Sequence, residues 1–476
     1  MNFRVVLYVL GGLLRLLGLF MIVPLGVSYY YGESLTPFLV SIFITTVTGF
    51  LLLSYKTEEE WMRKEGIAIV ALGWLAAAVF GAIPFMMDGI SPLNAVFESM
   101  SGFTTTGSTI LTDIESHPKG ILFWRGMIMW LGGMGIIVLF IAILPKLGVA
   151  GRQLFRAEAP GPTEEKLKPR VRETARILWS IYFVISFLMV VSLLFADVSL
   201  YDALNHMFTT MACGGFSNYG QSIGAFKSPL VEYIITFFTF VAGANFALYY
   251  RAIYIDKNLL FKDDEFRFYT ALILAASGLL TFLLWRDLGT NLSDSFRFAI
   301  FHVVTIMTST GFATTDFNLW SESAKMILII VMFIGACAGS TGGGIKVVRI
   351  LILLRHSRIE LFKALHPRAV RNVKFNNKIV PDEIVNSIVS FVVIYLLVFL
   401  SSALILSVLG MDIITSITAS IVTLGNIGPG LNVVGPMGSF DPIPPLGKLV
   451  LIANMWIGRL EVYTVILLFT PEFWKK

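Results

Sequence analysis

Four short polar stretches hold the chemistry that this sequence offers. Thr104–Thr109 reads TTTGST, Ala212–Asn218 reads ACGGFSN, Ser309–Thr315 reads STGFATT and Leu424–Leu431 reads LGNIGPGL. Each centres on a glycine, follows a short apolar segment and precedes a long one. Gly107, Gly215, Gly311 and Gly428 stand 108, 96 and 117 residues apart. A dehydrated monovalent cation needs oxygens to replace its water, and backbone carbonyls supply them without a full charge, so the ion can also leave. Turning carbonyls inward demands backbone angles that glycine tolerates. One Gly/Thr loop alone reads as an ordinary turn. Four of them in the same helical setting point to re-entrant loops around one axis, which is how a single chain can build an ion filter. The residues expected to coordinate the ion are Thr105, Thr106 and Gly107, then Cys213, Gly214 and Gly215, then Thr310 and Gly311, and finally Asn426, Ile427 and Gly428.

Two further features sit where a gate could act. The run Gly335–Gly344 (GACAGSTGGG) has Gly335, Gly339, Gly342, Gly343 and Gly344, and Lys346 follows it. It cannot be a stable helix interior, because each Gly costs about 1 kcal/mol against Ala. It is superficially like a phosphate cradle, but no Gly-Lys-Ser/Thr and no preceding strand accompany it. A close helix-packing surface is one reading, and an intramembrane loop that blocks or opens a pore is the other. Arg459 lies in the last apolar segment, where an arginine is costly and usually faces water or a partner. It either pairs with Glu461 or faces the cavity below the filter, and the second reading is favoured because residues two apart do not share a helix face. Arg15 and Glu98, also in apolar stretches, read as structural.

These loops need helices to carry them. The 476 residues are 56% hydrophobic and only 14% charged, against about 25% charged in soluble domains, so an all-α polytopic membrane protein is expected. The net charge of +5 is read through its location and not as a nucleic-acid footprint. Two cysteines, Cys213 and Cys337, and five scattered histidines suggest neither a disulfide framework nor a metal site. The N-terminal apolar run is too long for a signal peptide and is expected to be a retained span. Residues 1–64 form a two-helix hairpin. Four pseudo-repeated helix–pore-loop–helix units follow around a central pore, at 65–165, 166–262, 263–378 and 379–476, the third with a broken second helix. The short helices are expected near Ser91–Gly102, Leu200–Met211, Ser293–Thr308 and Asp412–Leu424, opened by Ser91-Pro92, Asp202, Asp294 and Asp412 as caps or first-turn acids. Their C-terminal ends, each carrying a partial negative charge, would favour a cation at the loops. Most of the 36 Lys and Arg fall between units, which puts those segments and both termini in the cytoplasm and gives ten spans.

Long stretches resemble one known family. The run FWRGMIMWLGGMGIIVLFIAILPKLG at Phe123–Gly148, QLFRAEAPGPTEEKLKPRVRETA at Gln153–Ala175, GACAGSTGGGIK at Gly335–Lys346 and WIGRLEVYT at Trp456–Thr464 are similar to the membrane subunit of Trk-type potassium uptake systems, the TrkH family of the Trk/Ktr/HKT superfamily. The resemblance covers nearly the whole chain. It implies potassium as the transported ion at the filter residues, with glycine kept at all four filter positions. Cys213 stands where a small or hydroxyl residue is expected, a mild departure if contact is through its carbonyl. The resemblance further implies a gate at the Gly335–Gly344 loop and Arg459, a homodimer in a prokaryotic inner membrane, and a cytosolic nucleotide-binding ring protein of the TrkA kind as partner. The basic segment Lys346–Lys378 would meet that partner or anionic lipid heads. No cofactor, nucleic-acid partner or enzymatic activity is expected, since no nucleophile–base pair occurs at usable spacing. Within transport, a coupled potassium symporter using protons or sodium is the alternative.

Overall fold

Long apolar runs with polar or proline-bearing ends set the helices. The computed structural model describes residues 1–55, 63–135 and 171–475. Asn2 opens the first helix, Phe3–Phe20, by accepting from the Arg4 N–H at 3.1 Å, which satisfies one of the donors that a helix start leaves unpaired. The chain continues as Ile22–Tyr30 and returns as Thr36–Leu53. The two limbs of this hairpin meet at glycines: a Cβ on Gly49 would stand 2.9 Å from the Gly11 carbonyl oxygen. Small residues permit that approach where lipid supplies no hydrophobic drive between helices. The Arg15 guanidinium lies 4.4 Å over the Phe50 ring.

Each of the four units then repeats one plan. The long first helices are Arg63–Gly81, Val171–Phe195, Asp264–Leu288 and Asp382–Val408. Their outer faces leave Phe183, Phe187, Leu397, Leu400 and Leu404 exposed, as a lipid-facing surface requires. The short helices are Pro92–Phe103, Leu200–Met211, Leu292–Met307 and Ile413–Leu424. At 12 to 16 residues they rise about 18–24 Å, short of about 30 Å of hydrocarbon, so these elements enter and turn back. Asp412 caps its helix by accepting from Thr415 N–H at 2.9 Å. In the second unit Ser199 is the cap, and it accepts from Asp202 N–H. Asp202 and Asp294 are first-turn acids.

The second helices depart from expectation. They are Lys119–Gly133, Pro229–Ala242, Glu322–Phe333 and Pro445–Arg459. The sequence marks a break only in the third, yet the second and fourth also bend, by 87° and 115°, before resuming as Phe246–Tyr254 and Tyr463–Phe469. Gly243 ends the one, and Asn245 restarts the chain by accepting from Ala247 N–H at 2.8 Å. In the other, Glu461 and Val462 sit at positive φ, 53° and 59°, which an α-helix cannot continue through. By length and composition six described helices can cross a membrane, or eight if each bent pair is one span. Lys119–Gly133 and Glu322–Phe333, at 15 and 12 residues, are too short to do so alone.

Past the glycine run the chain forms Val347–Leu365 and a two-stranded hairpin, Lys374–Phe375 with Lys378–Ile379. Asn376 and Asn377 make its turn at φ 47° and 62°, as a two-residue hairpin demands. Asn376 ties the hairpin to the start of the third unit by donating to Asp263 Oδ2 at 2.8 Å. The rest of the first unit beyond Gly135, most of the Gln153–Ala175 motif, and the basic residues Lys56 and Lys146 to Arg170 lie outside the described residues.

Candidate functional site

The four polar loops share one backbone conformation. In each, the residue before the glycine donates its N–H to the short helix five residues back: Thr106 to Ser101 O, Gly214 to Thr209 O, Thr310 to Thr305 O and Ile427 to Val422 O, at 2.7–2.8 Å. Two residues before each glycine the chain enters the left-handed region, with φ 54° at Thr105, 54° at Cys213, 60° at Ser309 and 53° at Asn426. The glycines themselves sit at φ 84°, 76°, 78° and 106° for Gly107, Gly215, Gly311 and Gly428. Alternating these angles sends successive carbonyls to one side of the strand. Ser309 is therefore the fourth member of a set from which the sequence reading omitted it.

The loops close into a ring. A Cβ added to Gly107 would be driven into Gly214 O, one on Gly215 into Thr310 O, and one on Gly311 into Ile427 O. One on Gly428 would stand 3.0 Å from Thr106 O. Each glycine thus abuts the carbonyl oxygen of the next loop, in cyclic order, and each approach needs both the missing side chain and the positive φ. A cavity of about 250 Å³ opens above the ring, and all four glycines line it together with Ser108, Thr109, Ser217 and Tyr219.

Most of the oxygens in this ring have no partner. Each loop offers the carbonyls of its glycine and of the two residues before it. Among the described residues only Gly428 O of these twelve receives a hydrogen bond, from Ser108 Oγ at 2.9 Å. Buried carbonyls are nearly always paired in folded proteins. A cluster of them left open around one axis is a ready site for a cation that has shed its water. No group of three or more His, Cys, Asp or Glu side chains among the described residues is arranged for a transition metal.

The residue two before each glycine turns its side chain away from the cavity, and there the glycine run meets it. Ser309 Oγ accepts from Gly343 N–H at 2.6 Å. The Thr341 hydroxyl lies 3.1 Å from Cys213 Sγ and 3.0 Å from Met211 O. A Cβ on Gly343 would crowd Gly425 O and Asn426. At the first loop the contact is Arg459, whose guanidinium donates to Thr105 Oγ1 at 3.0 Å. The same guanidinium donates to Thr341 O at 2.9 Å, Gly132 O at 2.6 Å and Gly133 O at 2.9 Å. It therefore ties the glycine run to the first loop and to the first unit's helix end. Asn426 reaches across to Thr106 Oγ1 at 2.8 Å.

Further contacts hold the glycine run in place, and of the residues that make them Glu265 is the one the sequence did not mark. Lys346 is buried and donates to Gly342 O. Glu265, 4% exposed, accepts from both Ala338 N–H at 2.7 Å and Val348 N–H at 3.2 Å, so one carboxylate oxygen clasps the run near each end. Gly335 N–H donates to Ile345 O at 2.6 Å, which pinches its neck. Glu461 pairs with Arg349 and leaves Arg459 to the carbonyls. Glu265 carries no pattern in sequence beyond being a first-turn acid; its role depends on a segment more than seventy residues away.

Comparison with known proteins shows which family the chain resembles over its length. The family model described as TrkH, cation transport protein, matches residues 34–476. The chain is 39% identical to the Trk system potassium uptake protein TrkH of Escherichia coli (strain K12) and 38% identical to that of Halomonas elongata, covering all of each chain. It superposes on the crystal structure of the potassium transporter TrkH from Vibrio parahaemolyticus with a TM-score of 0.90, 36% identity and full coverage of both chains.

Proposed function

This chain belongs to the TrkH family of cation transport proteins, and from that premise we propose that it conducts potassium ions into the cell through the ring of four loops. One observation carries the reading: twelve carbonyl oxygens in cyclic array, eleven of them without a hydrogen-bond donor among the described residues. Thr105, Thr106, Gly107, Cys213, Gly214, Gly215, Ser309, Thr310, Gly311, Asn426, Ile427 and Gly428 supply them, and the ion exchanges its water for these oxygens. The C-terminal ends of four short helices add a field that favours a cation.

The Gly335–Gly344 run and Arg459 act as the gate. The run lies against three of the four loops and Arg459 against the fourth, so an ion leaving the ring meets backbone and a fixed positive charge. Opening requires the run to detach, and a partner that prefers the detached state would bias it. We assign that role to a cytosolic nucleotide-binding ring protein acting on Val347–Leu365 and the hairpin behind it. The names of the relatives, which refer to a Trk system, support a multi-component assembly. A homodimer in a prokaryotic inner membrane, with both termini cytoplasmic and four pore units at 65–165, 166–262, 263–378 and 379–476, completes the proposal.

The test is Gly311→Ser in protein reconstituted into liposomes. A side chain there, at φ 78°, would press on Ile427 O and distort the ring. The expected result is a loss of preference for potassium over sodium; an unchanged preference in folded protein would refute the filter.

A further inference from the structure

The open carbonyls sit at the apex of each loop, and the two limbs of the loop must be held apart at a fixed distance for the ring to keep one aperture. The ascending limb is held by the backbone bonds described above. The descending limb is held by side chains, and these recur at one position. Glu98, His206 and His302 each stand nine residues before the glycine of their own loop. All three are buried, with 0–1% exposure.

Each reaches the same place two or three residues past the glycine. In the first loop Glu98 accepts from the Thr109 hydroxyl and from Ile110 N–H, both at 2.9 Å. In the second, His206 Nε2 lies 3.0 Å from Ser217 Oγ. In the third, His302 Nε2 accepts from Thr314 N–H at 3.4 Å. Both imidazoles have Nδ1 at 2.8 Å from a backbone carbonyl of their own helix, Asp202 O and Phe298 O. A carbonyl only accepts, so Nδ1 carries the proton and Nε2 is left as the acceptor that the descending limb requires. The fourth short helix has Ala419 at this position, and its neighbour Thr418 does the same work: its Oγ1 accepts from Leu431 N–H at 3.0 Å.

We propose that these side chains are positioning residues for ion selection, each a strut that sets the height of its loop and with it the aperture of the carbonyl ring. The inference rests on the filter reading above. Glu98 is the strongest of the set, because Arg125 Nε donates to its Oε1 at 2.6 Å while Arg125 Nη1 donates to Ser217 O of the second loop at 2.8 Å. The guanidinium carbon also lies 3.6 Å over the Phe216 ring. One buried ion pair therefore fixes the first and second loops relative to each other, and the oxygens of Gly107 and Gly215 with them. None of these side chains touches the ion; they act through the backbone they hold.

The experiment measures the potassium-to-sodium flux ratio of the full-length chain in liposomes, for Glu98→Gln, His302→Phe and Gly311→Ser. Glu98→Gln keeps the shape but loses the charge that binds Arg125, and His302→Phe keeps the ring but loses the acceptor. A ratio lowered about fivefold or more in both, with total potassium flux of similar size, is the expected result, since a purely structural defect would lower the amount of active protein and leave the ratio alone. Should Glu98→Gln misfold for want of a partner to Arg125, the double variant Glu98→Gln/Arg125→Gln removes the stranded charge and is expected to show the same lowered ratio. An unaltered ratio in the folded strut variants, beside a lowered one in Gly311→Ser, would overturn the struts and leave the filter standing. An unaltered ratio in Gly311→Ser would remove the filter reading and the struts together.

Discussion

Replacing Arg459 by Ala should release the glycine run. Among the described residues the guanidinium serves four acceptors, Thr105 Oγ1, Thr341 O, Gly132 O and Gly133 O, at 2.6–3.0 Å. Of these four, the bond to Thr341 O holds the run itself; the other three hold the arginine in position to make it. A hydrogen bond to a charged group contributes about 1.5–3 kcal/mol, and each 1.4 kcal/mol is about a factor of ten. The closed arrangement should thus lose between about 10-fold and 150-fold of its advantage. Two assays read this. Potassium flux into liposomes should rise by about 10-fold or more over the unaltered chain. Thiol labelling of Cys213, in a Cys337→Ala background, should quicken in parallel, because Cys213 Sγ is covered by Thr341 of the run. Arg459→Lys should fall between the two, since one ammonium cannot span four acceptors spread over two segments and a loop. Flux and labelling both unchanged in folded Arg459→Ala protein would refute the latch.

Three further outcomes follow from named contacts. Glu265→Gln keeps an acceptor but loses charge assistance to Ala338 and Val348 N–H, so hydrogen exchange at those two amides should quicken by about fivefold, for a loss of about 1 kcal/mol; equal exchange rates would show that the carboxylate does not hold the run. Cys213→Ser should leave the potassium-to-sodium ratio within about twofold, because the ring uses backbone oxygens and serine keeps a group against Thr341; a large change in the ratio would mean that the sulfur itself shapes the ring. Gly49→Leu should lower the thermal midpoint without altering selectivity, as the new side chain would meet Gly11 O and Arg15 at about the distances at which Cβ atoms never stand and overpacking costs about 1–3 kcal/mol; an unchanged midpoint would contradict the close packing of the N-terminal hairpin.

What could be read from the sequence was local. The short helices begin within a residue or two of their expected starts, because Ser91-Pro92, Asp202, Asp294 and Asp412 are start signals that act on the backbone next to them. The four glycines stand out because the ring needs their angles and their missing side chains at one place each. What stayed hidden was set by distant neighbours. Ser309 was passed over because a serine before Thr-Gly is unremarkable until its φ of 60° and its bond to Gly343 are known. The bends after Ala242 and Arg459 lie in segments that read as continuous apolar helices, and Val462 adopts φ 59° only because tertiary packing holds it there. Glu461, weighed as a partner for Arg459, turns instead to Arg349. Glu98 looked like a lone structural acid, and only the equivalence of the four loops gives it company in His206 and His302.

The most direct test of the whole account is the flux of potassium, rubidium and sodium into liposomes that contain only this purified chain. The account predicts passive flux down each ion's own gradient, faster for potassium than for sodium, and faster again when Arg459 is replaced by Ala. Flux that stops unless a proton or sodium gradient is supplied, with a fixed stoichiometry between the two ions, would contradict a pore and require a coupled carrier in its place.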